Sequence, residues 1–165
     1  DKKEIERLTN QLSSEFDMTN LGGLKYFLGL EFTKTKSGIL IHQRKYVSNI
    51  LKRFNMINCN PANAPMEIAS SLSNDDEGNC VNSTMYKQMV GSLKYACNSR
   101  PDICHSVGIV SRFMQTPKLS HMQAVKRILR YLQGTDDYGV LYPNTDGKKG
   151  KLVGYYDSDW SGDKV

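Results

Sequence analysis

Four cations and a histidine fall within one short helical stretch: Lys118, His121, Lys126, Arg127 and Arg130. Lys126 and Arg130, four residues apart, share a helical face, with Lys118 and Arg127 beside it. Such side chains hold phosphates by Coulomb attraction and counterion release, without reading sequence. The alternative is an ordinary solvated helix surface. His121, near the start of the helix, either adds a hydrogen bond to a phosphate or serves as a surface or capping residue, and the residues alone leave both open. A second group is acidic. Asp157 and Asp159, two apart, point to one face of an extended strand. Asp75-Asp76 is an adjacent pair in a turn-rich stretch without a flanking strand pattern, which predicts a solvated loop. Cys104-His105 lies in a helical pattern among apolar neighbours, with no third ligand at useful spacing, which argues against a nucleophile or metal role. Cys59, Cys80, Cys97 and Cys104 include no C-x-x-C pair and read as free thiols.

The charge around these residues is uneven. The chain of 165 residues carries a net +5, but residues 83–134 hold eight basic side chains against one acidic. Residues 61–82 hold four acidic and no basic ones. The basic block is the footprint a polyanion partner would use. A hydrophobic share of 39% and a mean hydropathy of −0.51 describe a soluble protein. No run approaches the roughly 18 apolar residues of a membrane span, so no membrane partner is expected. The opening Asp1-Lys2-Lys3-Glu4-Ile5-Glu6 has no apolar signal segment, which predicts an intracellular setting, cytoplasmic or nuclear. An opening residue other than Met predicts an excised piece.

The elements that must position these residues follow from periodicity. Ile5, Leu8, Leu12 and Phe16 predict an amphipathic helix over 2–17. Residues 24–35 read as a strand around Gly29, and 39–43 as its partner across a turn at Lys36-Ser37-Gly38, making a β-hairpin. Gly29 permits close approach of backbone to a ligand, or marks a bulge or tight packing contact. A helix follows over 45–56. Pro61, Pro65, Ser70-Ser71 and the run Asn74 to Asn79 predict a flexible or surface-running linker over 58–82. Ser83 is expected to cap a helix, Pro101 and Asp102 to open a second, and Pro117 or Ser120 to begin a third that Gly134 ends at the C′ position. Arg100 is expected to pair locally with an acid. The tail returns to strands at 138–142 and 151–157.

Six blocks of the chain, in order, resemble the Pol polyprotein of copia-type retrotransposons. They are MTNLGGLKYFLGLEF from Met18, QRKYVSNILKRFNM from Gln43, PANAPM from Pro61, YKQMVGSLKY from Tyr86, the stretch from Arg100 (RPDI, SRFM, RILRYLQGT), and LVGYYDSDWSGD from Leu152. Ala64 stands where that family usually has Thr. The resemblance covers nearly the whole chain and implies the C-terminal part of a reverse transcriptase. Its expected class is α+β. Residues 1–57 would be the end of the polymerase palm, with the hairpin as primer grip and Leu28 and Gly29 at its contact. Residues 58–82 would be a linker, and 83–135 a thumb-like three-helix block. Residues 136–165 would be a connection and the truncated start of an RNase H-like domain.

The function implied is that of a reverse transcriptase fragment gripping an RNA–DNA hybrid or template–primer duplex, alongside the remainder of the Pol polyprotein. The parent enzyme would use Mg2+ or Mn2+. The Tyr-x-Asp-Asp hairpin that holds the polymerase metals in this family has no counterpart here, and two-metal transfer needs such carboxylates. Asp157 matches the first RNase H carboxylate, a metal ligand only if the rest of that domain is supplied. The chain alone is therefore expected to be catalytically incomplete. The second reading is a degenerate or repurposed short open reading frame, acting as a small interaction protein or without function.

Overall fold

The computed structural model describes residues 2–67, 72–73, 79–144 and 154. They form an α+β arrangement of five α-helices and a four-stranded antiparallel sheet. Apart from Gly154, the predicted tail strand 151–157 lies outside the described residues, as do Asp75-Asp76 and Asp159.

Helix α1 (Lys2–Glu15) matches the spacing of its apolar residues, yet none of its side chains is buried. The single strand expected over 24–35 is instead two, β1 (Tyr26–Phe27) and β2 (Leu30–Thr35), paired antiparallel with Phe27 opposite Leu30. The break is conformational. Leu28 and Gly29 both have positive φ, 47° and 81°, which turns the chain back in two residues as primed hairpin turns do. A second two-residue turn, Lys36-Ser37, leads into β3 (Gly38–His42).

Strand β4 (Gly139–Pro143) adds to the far side of β3, with Leu40 opposite Leu141. It completes the sheet of the first hairpin. Two glycines permit the close strand contacts: a Cβ on Gly139 would run into the backbone of Ile41, and one on Gly38 into that of Tyr142 and Pro143.

Helix α2 (Arg44–Arg53) follows β3 directly and ends where Asn55 takes a left-handed φ of 56°. Glu31 of β2 ties sheet to helix, because its carboxylate accepts from the Lys45 amide at 2.9 Å, the favourable place for an anion at a helix start. Helix α3 (Ser83–Ala96) is capped by Asn82 rather than Ser83: the Asn82 side chain accepts from the Met85 amide at 3.0 Å. A 3-10 turn at Pro101–Ile103 runs into α4 (Cys104–Ser111), and α5 (Leu119–Gly134) closes the helical part.

The core is shared by four helices, not the three expected. Val47, Ile50 and Leu51 of α2 pack with Leu93 of α3, Val110 of α4 and Ile128 of α5 in one buried cluster. Residues 60–67 run against α5. Ala62 is buried and its amide donates to the Arg130 carbonyl. Gly134 is the last helical residue of α5, not a left-handed C′ glycine, and a Cβ there would meet the Pro61 ring at 2.7 Å.

Candidate nucleic-acid interface

Helix α5 presents the cations that the sequence singled out, but it uses them differently. Arg127 donates to the Ala64 carbonyl at 3.2 Å and pairs with Glu67 at 2.5 Å. Arg130 donates to the Asn60 carbonyl at 2.7 Å. Both guanidinium groups thus fasten the 60–67 segment onto α5. Lys126 is exposed and lies with Arg127 and Arg130 around a cavity of about 570 Å³, walled on its apolar side by Met56, Met66 and Leu72. Lys118 is half-buried at the N-cap of α5.

His121 is fully buried. Its Nδ1 accepts from the Lys118 amide at 3.0 Å, its Nε2 lies 3.1 Å from the Ser73 carbonyl, and its ring stacks on Phe113. Of the two readings open for this residue, the capping one describes its place. A phosphate at the surface cannot reach the ring.

Arg100 forms the local ion pair expected of it, to Asp102 at 2.7 Å, while only 2% exposed. It also donates to the Thr135 carbonyl at 2.7 Å and the Thr135 hydroxyl at 2.6 Å, so a buried cation closes the C-terminal end of α5. Tyr131 donates to the same Asp102 carboxylate at 2.9 Å. Burial pushes the Asp102 carboxyl up, but the hydrogen bonds from Arg100 and Tyr131, with the Arg100 charge, leave it below its ordinary 3.8. The residues of RPDI and RYLQGT that carried the resemblance thus meet in one structural node.

The tip of the β1–β2 hairpin exposes Tyr26, Phe27 and Leu28, the last 71% accessible. Lys45 lies 5.7 Å from the Tyr26 ring centre. Aromatic faces beside cations are what unpaired bases stack against. The tip also answers the question of Gly29. A Cβ on Gly29 would come 2.8 Å from the Tyr95 hydroxyl, which itself donates to the Leu28 carbonyl. The close approach that requires glycine here is to Tyr95 of α3. Sequence reasoning missed Tyr95, because its partner lies 67 residues away.

Among the described residues no three His, Cys, Asp or Glu side chains group as a metal site. Asp157 lies outside those residues, so its expected metal role has no geometry to examine. Burial pushes the Cys97 thiol up to about 12, with Cys104 as its nearest influence after burial. All four cysteines are free thiols. Among the described residues no helix is long and apolar enough to cross a membrane.

Comparison with known proteins gives a consistent answer. The family profile described as "Reverse transcriptase (RNA-dependent DNA polymerase)" matches residues 1–68. The chain is 38% identical over 160 residues to the retrovirus-related Pol polyprotein from transposon RE1 of Arabidopsis thaliana, covering 97% of this chain and 11% of that protein. It is 38% identical over 174 residues to the corresponding polyprotein from transposon TNT 1-94 of Nicotiana tabacum, covering 99% and 13%. It is also 36% identical over 160 residues to the uncharacterized mitochondrial protein AtMg00810 of Arabidopsis thaliana, covering 96% of this chain and 65% of that one. No solved structure matches. The chain spans only about a tenth of the Pol polyproteins it resembles, and along that tenth the correspondence runs nearly end to end. By that correspondence, the chain belongs to the reverse transcriptase family of retrotransposon Pol polyproteins.

Proposed function

We propose that this chain is the duplex-gripping part of a copia-type reverse transcriptase, holding an RNA–DNA hybrid or template–primer duplex while the chemistry is done by residues elsewhere in the polyprotein. The observation that carries this reading is the hairpin tip. It exposes Tyr26, Phe27 and Leu28, with Lys45 beside the Tyr26 ring and the Leu28-Gly29 turn buttressed from the helical block. On this reading the β1–β3 hairpin with α2 is the end of the palm, and α3 to α5 form the thumb-like part. Lys126 supplies an exposed cation, with Lys118 near the start of the same helix. Arg127 and Arg130 contribute to the local positive potential while their hydrogen bonds go to the 60–67 segment.

Metal-dependent chemistry belongs to the parent enzyme in this proposal. Mg2+ or Mn2+ would neutralise charge developing on the transferred phosphoryl group, and Asp157 would contribute only within a completed RNase H-like domain. The chain by itself binds and orients. The exposed apolar stripe of α1, from Ile5 to Phe16, is a surface for the remainder of the polyprotein.

Fluorescence anisotropy with a labelled RNA–DNA hybrid tests the grip. Binding should weaken roughly tenfold between 50 and 200 mM salt, the fall expected for about two neutralised phosphates. Lys126→Ala should flatten that dependence by about one phosphate. Absence of binding at low salt, or binding indifferent to salt, rules the grip out.

One observation favours a second reading. The AtMg00810 relative is short enough for this chain to span 65% of it. A chain of this family can therefore exist largely without the rest of a polyprotein, as a degenerate or repurposed reading frame. That reading expects no hybrid binding from a well-folded chain.

A further inference from the structure

The turn at the hairpin tip contains two successive left-handed residues, and one of them is leucine. Leucine does not favour that conformation on its own, so something outside the turn must hold it. Tyr95 of α3 is the group in contact. Its hydroxyl donates to the Leu28 carbonyl, and its ring fills the space a Gly29 side chain would need, with Cε1 3.3 Å from that Cβ position. Tyr95 is itself 36% exposed, so burial alone does not account for its place. Its ring meets Tyr46 of α2 edge-on at 4.8 Å, and the Tyr46 hydroxyl donates to the Ser92 carbonyl at 3.0 Å. An unbroken line of contacts thus runs from the core helices to the turn.

We propose that Tyr95 is the positioning residue of the duplex grip, fixing the Leu28-Gly29 turn so that its backbone amides face a primer phosphate. This rests on the duplex-gripping reading above. Phe27 and Leu30 are the last ladder pair, so the Leu28 and Gly29 amides lie beyond the ladder. Successive amides in such a turn form a concavity suited to an anion. Tyr95 makes no contact with the nucleic acid in this proposal. It acts through the turn.

The test compares the full chain with its Tyr95→Phe and Gly29→Ala variants by amide hydrogen exchange and hybrid anisotropy. Tyr95→Phe keeps the ring against Tyr46 and removes only the hydroxyl. Exchange at the Phe27 and Leu30 amides that flank the turn should quicken about tenfold, and the hybrid Kd should rise by a similar factor, the scale of one lost hydrogen bond. The salt dependence should stay unchanged, because no phosphate cation is lost. Exchange in α3 and α5, and the melting temperature, should not move. Gly29→Ala, which forces Tyr95 aside, should reproduce the local exchange and binding changes. If Tyr95→Phe leaves exchange at those flanking amides unchanged while the wild-type chain binds hybrid, Tyr95 does not position the turn. If the wild-type chain binds no hybrid, the duplex grip itself fails, and with it the purpose assigned to the turn. A binding loss that merely tracks a fall in melting temperature also overturns the proposal, since it would make Tyr95 a residue of general stability.

Discussion

The Arg100 node shows how a single side chain can serve two elements. Its guanidinium is 2% exposed and fully occupied by Asp102 and Thr135, with the Tyr131 and Tyr138 rings within about 5.5 Å. Removing one partner of a buried pair leaves the other uncompensated. Arg100→Ala should therefore cost about 3 kcal/mol, the low end of the range for breaking a buried ion pair. For a chain of this size that lowers the melting temperature by roughly 6–12 °C, measurable by calorimetry. Arg100→Lys should recover little, because a single ammonium cannot reproduce the fork that reaches carboxylate, carbonyl and hydroxyl together. Asp102 adds a pH dependence of definite sign. Its folded carboxyl lies below the ordinary 3.8, so the unfolded chain binds the proton more readily in that window. The contribution is complete at neutral pH and fades as pH falls below the ordinary value and through the folded one. Denaturant melts taken between pH 7 and pH 3 should show this loss, and in Asp102→Asn the acid limb should be shallower.

At the scale of elements, the sequence was most legible where the signal is local. The apolar spacings of α1, α2, α3 and α5 and the Lys36-Ser37 turn all read correctly within a few residues. The Arg100 ion pair was also legible, its acid lying two residues along. What could not be read depends on distant partners. The split of 24–35 needs Tyr95 to support a left-handed Leu28, a conformation that costs leucine roughly 1–2 kcal/mol. The burial of His121 needs Phe113 and Ser73. The roles of Arg127 and Arg130 need carbonyls some sixty to seventy residues away. Gly134 does end α5 as read, but as its last helical residue beside Pro61 rather than at the C′ position, and Pro61 lies too far along the chain to be foreseen. Two glycines in helices accordingly predict opposite outcomes. Gly91 of α3 is exposed, with nothing within 4 Å of a Cβ built on it, so Gly91→Ala should stabilise by about 0.5–1 kcal/mol through helix propensity. Gly134→Ala should destabilise by about 1–3 kcal/mol, the usual cost of overpacking, as the 60–67 segment is pushed from α5. Urea denaturation of the two variants beside the parent chain checks both signs.

At the scale of the whole molecule, stability and exposure are segregated. The buried cluster belongs to α2, α3, α4 and α5 together, while Ile5, Leu8, Leu12, Phe16, Met18 and Leu21 all remain more than 40% exposed. A helix of fourteen residues gains little from propensity alone and needs its apolar face covered to be firmly held. Its ion pair between Glu4 and Arg7 joins two exposed side chains and contributes little. The chain's cooperative unit should therefore begin after α1. A version starting at Leu24 should melt within about 2 °C of the full chain, because no buried side chain is lost and one kcal/mol moves a chain of this size by only about 2–4 °C. Hydrogen exchange should show the same division, with α1 amides exchanging near the unfolded rate and those of α3 and α5 slowed to the global limit. If truncation instead lowers the melting temperature by 10 °C or more, α1 is held by the helical block. Its apolar stripe would then be spent within this chain rather than kept for the rest of the polyprotein.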